Sequence, residues 1–252
     1  MPYPVAAVRG KGGFKPFSPA SLNPDLWPDA SNASSLFQNS NGTTPATADG
    51  DPVGYEGDQS VNANNATQSS GTLRPVLRTA SINGRNSIEP DATDDVYNLT
   101  SSIALTGEFT AWFVGTRSNN TNFIPFSNGT LPATILVFSS SNTIFFINDA
   151  GTSRNITYTG STGTVICRVR RNSSNQCYFA ATGMAETTVG AAMSGTFTFN
   201  RLMSRPQSAQ YNGSGNKFAE IFLAASDLVT SNPSGVASYQ ALLASKWGVT
   251  LP

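Results

Sequence analysis

The sequence predicts an all-β protein: a two-sheet antiparallel jelly-roll sandwich with one short C-terminal helix and an extended N-terminal arm. Three observations lead there. Short runs rich in β-branched and aromatic residues follow one another through the second half of the chain, each bounded by turn residues. At 252 residues the chain is long for one domain, yet all-β sandwiches reach this size around a single core. One stretch near the end, NPSGVASYQALLASKWGVTLP, carries apolar residues at helical spacing instead.

Residues 1–15 form the arm. They contain two prolines, three glycines and no acid, so Arg9, Lys11 and Lys15 give it a local positive charge. With Phe14 these are the candidate docking residues. The arm reads either as a disordered tail or as a strap that orders on a partly acidic surface. Residues 16–252 form the single domain. Its first part, to about residue 95, is loop-rich, with Pro, Gly, Asn and Asp between short apolar runs such as SSLF and RPVLR. Strands then follow as EFTAWFVGTR (108–117), ATILVFSS (133–140), NTIFFIND (142–149), RNITYTG (154–160), TVICRVRR (164–171), QCYFAATG (176–183), GTFTFNRLM (195–203) and KFAEIFLAA (217–225).

Several of these are apolar on both faces: Ile144 and Phe146 point one way, Phe145 and Ile147 the other. The outer face must be covered by the 16–95 region folding back or by a neighbouring subunit. In the helix, Val236, Tyr239, Leu243 and Trp247 make one stripe, Ser231 or Asn232 caps the start, and Gly248 stands where a left-handed residue ends it. Trp247 is a core anchor.

Composition narrows function. Net charge is zero and only 12% of residues are charged, against roughly 25% in an average domain. No basic excess exists to neutralise phosphates, so nucleic-acid binding is not expected. No apolar run approaches the ~18 residues of a membrane span. The start, MPYPVAAVRGKGGFKPF, does not read as a Sec signal peptide, so cytosolic synthesis is expected. Near-zero charge and two-faced strands favour self-association into a homo-oligomer. Histidine is absent, which excludes Ser-His and Cys-His nucleophile pairs and the usual zinc sites. Cys167 and Cys177 sit on two strands joined by a turn around 172–175. If Arg171 faces Gln176, then Cys167 faces Ala180, and the thiols lie roughly 10 Å apart, beyond the about 7 Å a disulfide spans. Two free thiols are expected.

The acidic stretch TADGDPVGYEGDQS (47–60) fails as an EF-hand. Counting from Asp49, Asp51 and Gly54 fit the third and sixth positions, but Val53 fails the fifth and Ser60 lacks the closing carboxylate. A second cluster, EPDATDDVYNL (89–99), offers Glu89, Asp91, Asp94 and Asp95. It reads as a turn held by Asp side chains, as a calcium loop of Asp91, Asp94 and Asp95, or as a pair for glycoside hydrolysis. No alternating run of acids shares a strand face, and Glu108 and Glu220 look isolated, so no enzyme activity is expected. Tyrosines could stack sugars. Tyr55, Tyr97 and Tyr211 are the candidate glycan contacts, with Tyr158 and Tyr178 as further surface candidates.

The order of several segments resembles a known family. FSPASLNPDLWPDASNASSL resembles the opening of concanavalin A-like, laminin-G-like jelly-roll domains, where a strand containing L-W-x-D-A-S leads the sandwich. DGDPVGYEGDQSVNANNATQ is similar to their V-x-x-W-x-D-x-S-G-N-x-x-x-A-T-Q segment, and EPDATDDVYNL to their F-D-G-x-D-D-x-L turn. GEFTAWFVGTR and KFAEIFLAASDL…YQALLASKWGV resemble the strand after that turn and the terminal strand and helix. The likeness runs from about 17 to 250. Tyr55 replaces the usual tryptophan, Val61 the glycine, and Glu89-Pro90 and Ala92-Thr93 interrupt the turn where some relatives bind calcium. The resemblance implies that 47–60 is a structural segment, a polar loop entering a short strand near 53–55, with Asp58 fastening a turn. Such domains occur in secreted bacterial proteins and in structural proteins of tailed bacteriophages. The short basic arm points to the second: a non-enzymatic virion surface protein, a capsid decoration or head or tail fibre component, docked through the arm on other virion proteins. The alternative is an extracellular carbohydrate-binding or adhesion module that meets a host surface glycan.

Overall fold

A computed structural model describes residues 16–91, 93–118, 122–130, 132, 134–136, 142–160, 162–205, 210–211 and 215–251. The arm residues Arg9, Lys11, Phe14 and Lys15 lie outside the described residues. Two antiparallel sheets face each other. The seven-stranded sheet runs in the order Met184–Thr188, Cys177–Ala181, Gly163–Arg171, Phe109–Arg117, Lys217–Ala224, Arg85–Glu89, Val76–Ile82. The nine-stranded sheet runs Leu36–Phe37, Tyr55–Glu56, Ala66–Thr67, Tyr97–Leu105, Phe197–Leu202, Phe126–Ser127, Thr134–Leu136, Thr143–Ile147, Ser153–Thr157.

Alternation along Phe109–Arg117 sorts its side chains between two cores. Phe109, Ala111 and Phe113 face the other sheet, where Phe126, Phe146, Phe197 and Phe199 meet them, and Phe179 of their own sheet joins the same core. Trp112 and Val114 point outward with Ile166 and Phe222, and the helix Pro233–Trp247 lies on them. Its buried stripe is Val236, Tyr239, Leu243 and Trp247, and the Tyr239 ring sits 4.8 Å from Phe222 and 5.2 Å from Trp112. The Asn232 side chain caps the helix by accepting from the Gly235 amide, and Gly248 ends it at φ 73°. Leu22 completes this outer layer.

The expected cover is therefore corrected in part. Phe17, Leu22 and Trp27 of the 16–95 region pack with the helix on the outer face of the seven-stranded sheet, but the region does not fold back over Thr143–Ile147. Its short strands at 36–37, 55–56 and 66–67 extend one end of the nine-stranded sheet, while Thr143–Ile147 lies towards the other end. Ile144 and Phe146 are buried, whereas Phe145 and Ile147 stay half-buried. It is the seven-stranded sheet whose outer face is covered, mainly by the helix. Parts of the early region do enter that sheet: Val76–Ile82 and Arg85–Glu89 are strands of it, and Leu26 and Asp29 bridge Leu223 and Glu220 on the last strand.

The acids of 47–60 are structural. Asp51 Oδ2 accepts from the Thr47 and Ala48 amides, both at 2.8 Å, and Asp49 Oδ1 from Thr79 N at 2.9 Å. Asp58 fastens its turn as expected, accepting from Ser60 N, Ser60 Oγ, Asn64 N and the distant Trp27 N. Arg171 is fully buried and donates to the carbonyls of Leu105, Gly107 and Gly195 between the Phe109 and Phe197 rings. One cation thus ties the two sheets together with no counter-ion among the described residues.

Register at the cysteines differs by one residue from the sequence reading: Arg171 faces Cys177 and Cys167 faces Ala181. The turn is longer because Asn172 Oδ1 accepts from both Ser174 N and Gln176 N, which closes a loop with Asn175 left-handed at φ 59°. Both thiols are free and buried. Burial pushes Cys167 well above the usual thiol range and Cys177 up to about 11. Neither thiol should react with a disulfide reagent at pH 8 in the folded protein, and both should after denaturation; rapid native labelling would contradict the burial.

Candidate functional site

The strand Tyr97–Leu105 opens a cleft by bowing out of its sheet. Phe199 faces Ile103 and Arg201 faces Asn98, so residues 99–102 stand opposite the single residue 200. A carboxamide stands in for the missing ladder. Asn64 Oδ1 accepts from Ser101 N at 2.7 Å and Thr100 Oγ1 at 3.0 Å, and its Nδ2 donates to Ser101 O at 2.8 Å. Asn65 adds a backbone bond from Thr100 N at 3.0 Å. The loop presenting Asn64 is the one Asp58 fastens. Asn62 Nδ2 donates to Asp25 O at 3.2 Å, and Asp25 Oδ2 accepts from Ala225 N at 2.6 Å, which closes the far wall.

Between these walls lies a cleft of about 330 Å³ lined by Asp25, Asn62, Asn64, Ser101, Ser102 and the 103–105 stretch. Among the described residues the Ser101 and Ser102 hydroxyls bond to no other protein group. Among the described residues no cation lines the cleft, and Asp25 is its one carboxylate. Hydrolysis of a glycoside by the two-carboxylate route lacks its second acid here. Hydroxyl, carboxamide and backbone groups can instead exchange hydrogen bonds with a polyol.

The tyrosines expected to bind sugar do not gather around it. Tyr97 is corrected outright: it is fully buried, its hydroxyl donates to Val53 O at 3.0 Å, and burial raises its phenol well above the usual range. Its strand places the ring inward, between the sheets. Tyr158 is likewise 2% exposed and donates to Thr182 O at 2.9 Å. Tyr178 is half-buried beneath the Arg170 guanidinium, 3.9 Å from the ring centre. Tyr55 is half-buried edge-on to Phe37 at 5.6 Å. The Tyr211 backbone pairs with Ser204, and its side chain lies outside the described residues.

The three candidate calcium ligands do come together, with carboxylate oxygens of Asp91, Asp94 and Asp95 all within 4.8 Å of one another. Their bonds are those of a turn. Asp95 Oδ2 accepts from Asp91 N at 2.7 Å and Asp91 Oδ1 from Thr93 N at 2.7 Å. Burial, with the Asp91 and Asp94 charges adding, raises Asp95 to about 6. The cluster borders a second cleft with Arg74 and Arg78, where Arg78 is paired with Glu89 at 2.6 Å and Arg74 with the Gln68 and Ser69 carbonyls.

Glu220 is not isolated. Its Oε1 accepts from Trp27 Nε1 at 2.9 Å and Tyr239 OH at 3.0 Å, and its Oε2 from Trp247 Nε1 at 2.9 Å and Lys246 Nζ at 2.8 Å. Lys246 also contacts Asp29. No spacing could have revealed this group, because its members come from three distant segments. Nearby, Glu56 is 4% exposed and makes no side-chain hydrogen bond among the described residues.

No protein-family model matches the chain, and no curated protein sequence matches it. Solved structures do. The receptor-binding domain of botulinum neurotoxin D matches at TM-score 0.54 and 10% identity, over 92% of this chain and 57% of that one. The botulinum neurotoxin serotype D ligand-binding domain in complex with N-acetylneuraminic acid matches at TM-score 0.53 and 11% identity, over 89% and 53%. The likeness is one of fold, the β-sandwich. This chain spans a little over half the length of those domains. An α-L-arabinofuranosidase matches at TM-score 0.47, too loosely to carry an argument.

Two outcomes follow. Asn64→Ala leaves Ser101 N and O without their partner and should cost about 2 kcal/mol, lowering Tm by roughly 5 °C in a thermal melt. Burial first, then the Asp29 charge, pushes the Glu56 carboxyl up to about 8. The unfolded chain therefore ionises Glu56 first, so its contribution is full below about pH 4.5 and is lost as pH rises to about 8. Glu56→Gln should raise Tm by roughly 5 °C at pH 8 and leave it unchanged near pH 4. Parallel melting profiles across that range would contradict the assignment.

Proposed function

We propose that this chain is a non-enzymatic carbohydrate-binding or adhesion module that takes a neutral glycan in the cleft between Asn62, Ser101 and Ser102. The observation that carries the reading is the cleft itself, a polar hollow whose two strand hydroxyls have no protein partner among the described residues. Sugars present hydroxyl groups at comparable density and need no counter-charge. The absence of a cation among the lining residues and the presence of Asp25 favour neutral hexoses over sialic acids, since a ligand carboxylate would meet a like charge. Support also comes from the fold likeness to toxin domains whose names state receptor binding and, in one case, a complex with N-acetylneuraminic acid.

The same reading takes the sandwich as a concanavalin A-like jelly roll displayed outside the cell. The order of segments and the two-sheet architecture with a terminal helix support it. A virion role, with residues 1–15 docking on a particle, has no support in the comparisons, and the arm lies outside the described residues.

A glycan array of the folded protein, run with calcium and with chelator, tests the proposal. Saturable binding to neutral glycans is expected, unchanged by chelator, and Ser102→Phe should weaken it at least ~10-fold by filling the cleft. A blank array, or binding that Ser102→Phe leaves intact, would overturn the assignment.

A further inference from the structure

Asp29 and Glu220 stand directly opposite each other across an isolated antiparallel bridge between the 26–29 segment and the strand Lys217–Ala224. Like charges so placed cost stability unless a cation is shared between them. Lys246, in the last turn of the helix, supplies it: Nζ touches Asp29 Oδ2 and lies 2.8 Å from Glu220 Oε2. We infer that Lys246 and Asp29 join through an isopeptide bond, formed by the protein itself with Glu220 as the base. The inference is independent of the glycan reading.

Each part of an acyl transfer is in place. The amine is the nucleophile and the Asp29 carboxyl its electrophile, already in contact and held by different elements of the fold. Fixing two reactants in this way is worth effective molarities on the order of 10⁵ M or more. Glu220 accepts from the same amine and can take its proton. Asp29 Oδ1, the oxygen remote from Lys246, accepts from Ser31 N at 3.0 Å and Ser31 Oγ at 2.7 Å. Those two donors are aimed where negative charge develops in a tetrahedral intermediate.

The surroundings favour the product. Side-chain exposure is 12% for Lys246, 8% for Asp29 and 1% for Glu220. Trp27, Tyr239 and Trp247 wall the site and direct their polar hydrogens at Glu220, holding it in place. Replacing a buried ammonium and carboxylate by a neutral amide removes two desolvated charges.

The step balances without a co-reactant. The Lys246 ammonium gives one proton to Glu220, and its lone pair attacks Asp29 Cγ. The C–N bond forms and the electron pair moves to Oδ1. When the C–Oδ2 bond breaks, the electron pair on Oδ1 re-forms the carbonyl. Nitrogen sheds a second proton, and both shed protons reach Oδ2 by way of Glu220. Oδ2 leaves as water, and Glu220 ends as the carboxylate it was at the start.

Intact-mass spectrometry of the purified full-length chain is the test. The expected result is a mass one water below that of the sequence, with a branched peptide joining the segments around Asp29 and Lys246 after proteolysis. Lys246→Arg, which keeps the cation, and Glu220→Gln, which removes the base, should both restore the full mass. Wild-type protein at full mass with a folded β-type circular dichroism spectrum would overturn the inference and leave an ion pair only. So would water loss that maps elsewhere, such as a succinimide at another aspartate. The wild-type measurement decides alone if either variant fails to fold.

Discussion

The central constraint on this structure is a sheet that is apolar on both sides. The strands Phe109–Arg117 and Lys217–Ala224 are buried along almost their whole length, so neither face at the centre of the seven-stranded sheet can meet water. The opposing sheet solves one side. The helix Pro233–Trp247 solves the other, and its seat is set by hydrogen bonds as well as packing, since Tyr239 and Trp247 both donate to Glu220 in the strand beneath. Apolar area supplies the driving force there, while the buried carboxylate selects one docking register among many that would hide similar area. With the centre of one sheet sealed on both faces, the nine-stranded sheet keeps an outer surface open to solvent, and the bowed strand with its cleft is in that sheet.

Much of the sandwich was legible because its central strands are short, apolar and bounded by turn residues. EFTAWFVGTR and KFAEIFLAA read as strands for the same reason they are buried on both faces. The helix was legible in its stripe, its Asn232 cap and its terminal glycine. The strand Tyr97–Leu105 was not, since Asn98, Thr100, Ser101 and Ser102 give it the composition of a loop. A usable signal was present at Asn83-Gly84, where both residues are left-handed, at φ 47° and 72°, as a two-residue hairpin turn requires. It joins Val76–Ile82 to Arg85–Glu89 inside the stretch that reads as loop.

The sites were harder to read than the fold for a different reason. Local pattern tells whether a side chain alternates, and tells little about what it meets. Tyr97 and Tyr55 are equally plausible as sugar platforms in sequence, yet one is sealed between sheets and the other packs on Phe37. Glu220 looks solitary on its strand because Trp27 lies 193 positions away and Lys246 sits 26 positions later on the helix. Asn64 looks like one polar loop residue among many, and only the three-dimensional partner, Ser101, reveals that its amide completes a β-ladder. The acid trio at 91–95 was grouped correctly because its members are neighbours in the chain.

The clasp between Asp29 and Lys246 closes a loop of 217 positions and sits beside the place where segment 25–30 enters the sheet against the last strand. Tension applied to the two flanks of the domain would meet this clasp together with the adjoining bridge of Leu26 to Leu223, ahead of the strands between them. Load would pass from Asp29 directly into the helix and out again, leaving the intervening strands slack.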